Sequence, residues 1–185
     1  MLILLSGPVG VGKTTLCVRL AETARECGLH VGGVLTPALM ENGVKLGILA
    51  LDLESGQRLL LARVDRDLGG ARVGPYSFDD RVLDWVVQRC ERALDAAEGL
   101  VFVDEIGKLE LCRDGGLARL IPLLARPREG MAVTIVRDFL LDDLAERLPN
   151  AEPQVVRVDA GSRERAWDEL AGLAFDRSSG EAGWC

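Results

Sequence analysis

A three-layer α/β fold is the architecture this sequence predicts: a mostly parallel sheet with helices on both faces and an antiparallel β insertion after the first helix. Three observations predict it. Apolar runs at residues 2–5, 100–103, 132–136 and 155–158 lack the alternation of a half-solvated strand, as strands buried on both faces do. Segments of helical periodicity lie between them, the order that parallel βαβ units require. Between residues 31 and 64 the pattern changes to strand-like runs separated by Asn-Gly and Ser-Gly, which are hairpin signals.

Each element can be justified in turn. Leu2 to Leu5 form a buried strand ending at Ser6-Gly7. From Lys13 the period becomes helical: Cys17, Leu20, Ala21, Ala24 and Cys27 share a face, Arg19, Glu22 and Glu26 lie opposite, and Gly28 supplies a stop. Val31–Thr36, Val44–Asp52 and Arg58–Val64 make up the antiparallel insertion, residues 31–64. A Gly- and Asp-rich loop, 65–75, leads to a helix striped by Val82, Val86, Cys90, Ala93, Leu94 and Ala97 and closed by Gly99. Ser77-Phe78-Asp79-Asp80 reads as its capping box, with Asp in place of the usual Glu. Leu100 to Val103 is a buried strand running into Asp104-Glu105. Further helices are expected at 117–124, 138–148 and 162–175, giving a core of about five parallel strands, an ordinary sheet size. With no repeat and no linker, residues 1–175 are expected to form one domain and the Ser- and Gly-rich residues 176–185 a flexible tail.

Composition narrows the class. At 185 residues and 48% hydrophobic content the chain can bury one core, and a net charge of −7 argues against strong nucleic-acid binding. Five cysteines, an odd count without Cys-x-x-Cys spacing, and a single histidine, His30, exclude a zinc-ligand pattern and fit a reducing compartment. The opening Met-Leu-Ile-Leu-Leu has no basic leader character, and no apolar run approaches the ~18 residues of a membrane span. A cytoplasmic, non-membrane location is expected.

The chemistry is concentrated in one motif. Gly7-Pro8-Val9-Gly10-Val11-Gly12-Lys13-Thr14 matches the Walker A phosphate loop at every defined position, with a strand before it and an amphipathic helix after. Consecutive backbone N–H groups of such a loop face phosphate oxygens, and the helix dipole adds positive potential there. Lys13 would reach the β- and γ-phosphates, Thr14 would present its hydroxyl to Mg²⁺, and Thr15 would contact the α-phosphate. The metal needs a second carboxylate at the end of a neighbouring buried strand, which Asp104 supplies after Leu100-Val101-Phe102-Val103. Glu105 follows directly, placed to orient and deprotonate an attacking water. Lys108 and Glu110 either line the site or are solvated loop charges. Arg137 either senses the γ-phosphate or lies on the surface. Arg163 either packs on a base or forms a salt bridge, and Trp167 reads as core.

Absent motifs matter as much. Asp104-Glu105-Ile106-Gly107 satisfies Asp-x-x-Gly, yet no Asn-Lys-x-Asp or Thr-Lys-x-Asp occurs, so a dedicated guanine reader is not expected. Ser55-Gly56-Gln57 sits between hairpin strands, where a turn explains it. No compact arginine cluster forms the lid of a nucleoside-monophosphate kinase.

Gly7–Leu16, Gly-Gly-Val-Leu-Thr-Pro (32–37), Val-Lys-Leu-Gly (44–47), Val-Gly-Pro-Tyr (73–76) and Val-Asp-Glu-Ile-Gly-Lys-Leu-Glu-Leu (103–111) together resemble the small P-loop nucleoside-triphosphatase family, which includes the cancer-related nucleoside-triphosphatase and its thermophile relatives. The resemblance spans roughly residues 1–170. It implies a RecA-like fold and slow, base-tolerant, Mg²⁺-dependent hydrolysis of ATP, GTP and other triphosphates. It also implies the phosphate loop with Lys13 and Thr14, Asp104 as metal carboxylate, Glu105 as base and Lys108 as the motif lysine. The chain departs from the family pattern at Pro37 and Lys45, and its Thr134-Ile135-Val136-Arg137 lacks the histidine of Thr-x-His-Arg. The expected reaction is attack of water on the γ-phosphate. Phosphoryl transfer to a small acceptor and a nucleotide-dependent regulatory switch are the alternatives, since both use the same cradle.

Overall fold

The structure, a computed structural model, describes residues 1–96, 99–148 and 151–175. The expected tail at 176–185 and Ala97 of the helical stripe lie outside the described residues.

Strand β1 (Leu2–Gly7) is buried along its length and leads through the glycine loop into helix α1 (Lys13–Glu26). Strands β2 (Val31–Leu35), β3 (Ala38–Glu41), β4 (Val44–Asp52), β5 (Arg58–Arg63), β6 (Arg72–Val73) and β7 (Tyr76–Phe78) follow, then α2 (Asp80–Asp95) and β8 (Leu100–Ile106). The rest is α3 (Lys108–Arg113), a 3₁₀ turn running into the single turn α4 (Ile121–Leu124), β9 (Met131–Arg137), a second 3₁₀ turn, α5 (Leu141–Glu146), β10 (Gln154–Arg157) and α6 (Arg163–Phe175).

Among the described residues, all ten strands belong to one sheet, ordered β10-β1-β9-β8-β2-β4-β5-β7-β6, with β3 paired to β4. The first five are mutually parallel, and from β4 onward pairing is antiparallel. Side chains alternate between the two faces, so each face carries its own core. Ile3, Leu5, Phe102, Val133 and Ile135 pack beneath α1 and α6, while Leu4, Val101, Val103, Ala132 and Val136 pack beneath α2 to α5. The three layers and mostly parallel sheet are as the sequence predicts.

Three expectations need correction. Residues 31–35 are not simply part of an antiparallel insertion, because β2 pairs in parallel with β8 while its end pairs antiparallel with β4. Strands β2 and β3 follow one path along β4, interrupted at Thr36-Pro37. Proline has no N–H for a ladder, and the Thr36 N–H is turned to Asp104 instead. Second, the 65–75 loop contains β6, and β7 follows it, both too short to leave a periodic signal. Third, α2 is capped by Asp79, whose Oδ1 accepts from the Arg81 and Val82 N–H groups at 2.9 and 3.3 Å. Ser77 instead accepts from Leu68 N–H and donates to Asp67, so it belongs to the loop and not to a capping box. Helices expected over 117–124 and 138–148 each begin as 3₁₀ turns.

Candidate active site

The carboxyl ends of β1, β8 and β9 lie side by side in the sheet, and at such an edge open α/β folds bind their ligands. Gly7 ends β1 against β10's exit. A Cβ there would stand 2.1 Å from the Val158 carbonyl oxygen, so only glycine lets the loop begin at this point. The loop closes at Gly12, whose φ of 100° brings the chain into α1.

Lys13 is buried, and its Nζ donates to the Gly7 and Pro8 carbonyls at 2.6 and 2.8 Å, which holds the ammonium inside the loop. Burial lowers its pKa, while the carboxylates of Glu105 and Asp104 raise it. Thr14 Oγ1 donates to Asp104 Oδ2 at 3.0 Å, so two residues 90 positions apart in the chain meet. The Thr36 N–H donates to the same oxygen at 2.9 Å. Asp104 is 2% exposed, and this burial pushes its carboxyl up to about 6 against the hydrogen bonds from Thr36 and Thr14 that favour its charge. Thr15 is exposed on the first turn of α1.

Glu105 lies beside Asp104, where the β8–β9 register shifts between Val103 and Ile106. Its Oε1 accepts from Arg137 Nε at 2.5 Å, with both side chains about one-third exposed. Arg137 is therefore not a lone surface residue but the ion-pair partner of Glu105. Arg163, first residue of α6, donates through Nη2 to the Val11 carbonyl at 2.9 Å and lies against Gly12. The two other candidates behave differently. Glu110 is buried and accepts from the Gly107 and Leu117 N–H groups, which makes it a cap for the loop after β8 and not a site residue. The Gly-x-x-Glu spacing carried that signal. Lys108 is exposed and its Nζ lies 5.3 Å from the Phe139 ring centroid. Trp167 is half-buried, with the Arg19 guanidinium 3.8 Å above its ring. The sequence carried Thr36 only within the Gly-Gly-Val-Leu-Thr-Pro motif, because a contact with a strand 68 positions away leaves no local signature.

Adjacent hydroxyl and carboxylate oxygens suit a hard divalent cation such as Mg²⁺. Among the described residues no group of three or more His, Cys, Asp or Glu could hold a metal unaided. No described helix is long and apolar enough to cross a membrane.

Comparison with known proteins bears on the family and the fold. A family model described as NTPase matches residues 2–171. The chain is 32% identical over 173 residues to the nucleoside-triphosphatase THEP1 of Archaeoglobus fulgidus, covering 92% of this chain and 96% of that one. It is 38% identical over 109 residues to THEP1 of Methanopyrus kandleri, a match spanning 59% of each chain. Among solved structures, that of a human cancer-related nucleoside triphosphatase superposes with a TM-score of 0.72 at 27% identity, covering 96% of this chain and 97% of that one. The crystal structure of THEP1 from Aquifex aeolicus gives 0.71 at 19% identity, covering 95% and 99%, and speaks for the fold.

Proposed function

The chain belongs to the NTPase family, and we propose that it hydrolyses the γ-phosphate of ATP, GTP and other nucleoside triphosphates with Mg²⁺ and little preference for the base. The observation that carries this reading is the 3.0 Å contact between Thr14 Oγ1 and Asp104 Oδ2, with Glu105 one residue further on. The Thr14 hydroxyl and the Asp104 carboxylate would hold Mg²⁺, which when bound neutralises charge on β- and γ-phosphate oxygens.

The chain's own groups do the rest. Backbone N–H groups from Gly10 to Thr14 cradle the phosphates, Thr15 faces the α-phosphate, and Pro8 and Val9 complete the loop. Lys13 exchanges the Gly7 and Pro8 carbonyls for β- and γ-phosphate oxygens, and its charge stabilises the transferred group. Glu105 orients a water and takes its proton, with Arg137 holding the carboxylate in place. The absence of a guanine-reading motif supports base tolerance, since strong discrimination needs a site built to pair with base edges.

The two carboxylates separate the roles. Asp104→Asn is expected to raise the Mg²⁺ concentration needed and to weaken nucleotide binding together with turnover. Glu105→Gln is expected to keep Mg²⁺·NTP affinity while kcat falls by ~10²–10⁴. Equilibrium binding of a fluorescent NTP beside single-turnover hydrolysis measures both. A Glu105→Gln chain that turns over at the wild-type rate would leave Glu105 a solvated acid and remove it from the mechanism. Phosphate release measured with and without nucleoside acceptors separates hydrolysis from phosphoryl transfer.

A further inference from the structure

In a phosphate loop the lysine and the hydroxyl serve the β- and γ-phosphates, so the α-phosphate and the nucleoside leave on the side away from the metal carboxylate. Asp104 lies on β8, separated from β1 by β9, whereas β10 is the neighbour of β1 on the other side. The nucleoside is therefore directed toward the turn between β10 and α6. That turn is fixed. Asp159 Oδ1 accepts from the Gly161 and Ser162 N–H groups at 2.8 and 2.9 Å, and Ser162 Oγ accepts from the Asp159 N–H at 2.9 Å. Arg163 follows immediately as the first residue of α6, anchored through Nη2 to the Val11 carbonyl at 2.9 Å.

The orientation of this guanidinium is informative. Its Nε, Cζ and Nη2 atoms lie 3.3, 3.4 and 3.4 Å from the point where a Cβ on Gly12 would stand. Three nearly equal distances mean that one face of the planar group lies across Gly12, where a larger residue would displace it. Arg163 is nonetheless exposed, so with one face against Gly12 the other face of the group is the one open to solvent.

We propose, building on the phosphate-loop hydrolase reading above, that the open face of Arg163 is the plate on which the nucleobase of the substrate stacks. A guanidinium plane stacks on any base, because every base has a π-face, and it reads none of the edges by which bases differ. Arg163 thus adds affinity for the nucleoside without telling adenine from guanine, while purines, with the larger face, gain more than pyrimidines.

The test compares KM for ATP, GTP and CTP with the inhibition constant of Mg²⁺·tripolyphosphate, which has phosphates and no base. In Arg163→Ala the ratio of KM to that inhibition constant should rise by about 3- to 30-fold, the range of a single cation–π contact, and more for ATP and GTP than for CTP. Arg163→Lys keeps the charge and a donor for the Val11 carbonyl but has no plane, and it should show the same selective loss. If NTPs and tripolyphosphate weaken in proportion in both variants, Arg163 only braces the loop and the stacking role is overturned. A wild-type chain that releases no phosphate from any NTP would instead sink the hydrolase reading itself.

Discussion

At the scale of single residues, Asp104 carries the sharpest pH dependence. Its pKa stands at about 6, above the ~3.9 of a free aspartate, mainly because it is buried. A proton and a metal ion compete for the same carboxylate, so the proton must leave before Mg²⁺ binds. Apparent Mg²⁺ affinity should therefore rise with pH through about 6 and level off above it, and excess Mg²⁺ should move the acid limb of activity to lower pH. Mg²⁺ titrations of phosphate release from pH 5 to 8 measure this, and an acid limb indifferent to Mg²⁺ would contradict it. The same shift has a stability consequence of opposite sense. A raised folded-state pKa means that the folded chain binds its proton more tightly than the unfolded one, so this group favours folding at low pH and that contribution is lost as pH rises through about 6. Without nucleotide, Asp104→Asn should raise the melting temperature at pH 7 to 8 while lowering activity, a trade expected where a site holds a buried charge for function. Lys13→Ala should weaken Mg²⁺·NTP binding or turnover at least about tenfold, the loss of one hydrogen bond to a charged group. Unchanged affinity and turnover in that variant would remove the phosphate-loop assignment.

At the scale of elements, two backbone features support the site from a distance. Gly33 lies inside the buried strand β2 with φ of 88°, and a Cβ there would stand 2.1 Å from the Phe102 carbonyl oxygen of β8. Only glycine permits β2 to run this close to the strand that carries Asp104. Gly33→Ala should cost at least ~1–3 kcal/mol of folding stability from the backbone conformation alone, with the clash in addition. Urea unfolding reads it, and a variant as stable as wild type would show that the strands can part without cost. The Asp79 cap of α2 makes a smaller claim: Asp79→Ala should lose ~0.5–2 kcal/mol in the same measurement without altering kcat. The resemblance motif Gly-Gly-Val-Leu-Thr-Pro thus has a physical content of close strand approach, an N–H aimed at Asp104 and a proline that interrupts the ladder.

At the scale of the whole molecule, one sheet separates two cores, and Trp85 packs against one of them while Trp167 packs against the other. If residues 1–175 fold as one domain, variants retaining only Trp85 or only Trp167 should unfold at the same denaturant midpoint by fluorescence, and two separated midpoints would divide the chain. The sequence by itself determined the glycine loop between β1 and α1, the strand-end positions of Asp104 and Glu105 and the buried strands, because glycine spacing, strand-end acids and unbroken apolar runs are local patterns with local physical causes. Tertiary structure alone decided the rest. Thr36 and Arg137 acquire their roles from contacts between strands that only the sheet order creates. Arg163 meets Val11 across 152 positions of chain, and no periodicity encodes so distant a contact. The double pairing of β2, parallel on one edge and antiparallel on the other, likewise follows from which strands it lies between, since a buried apolar run looks the same from either neighbour.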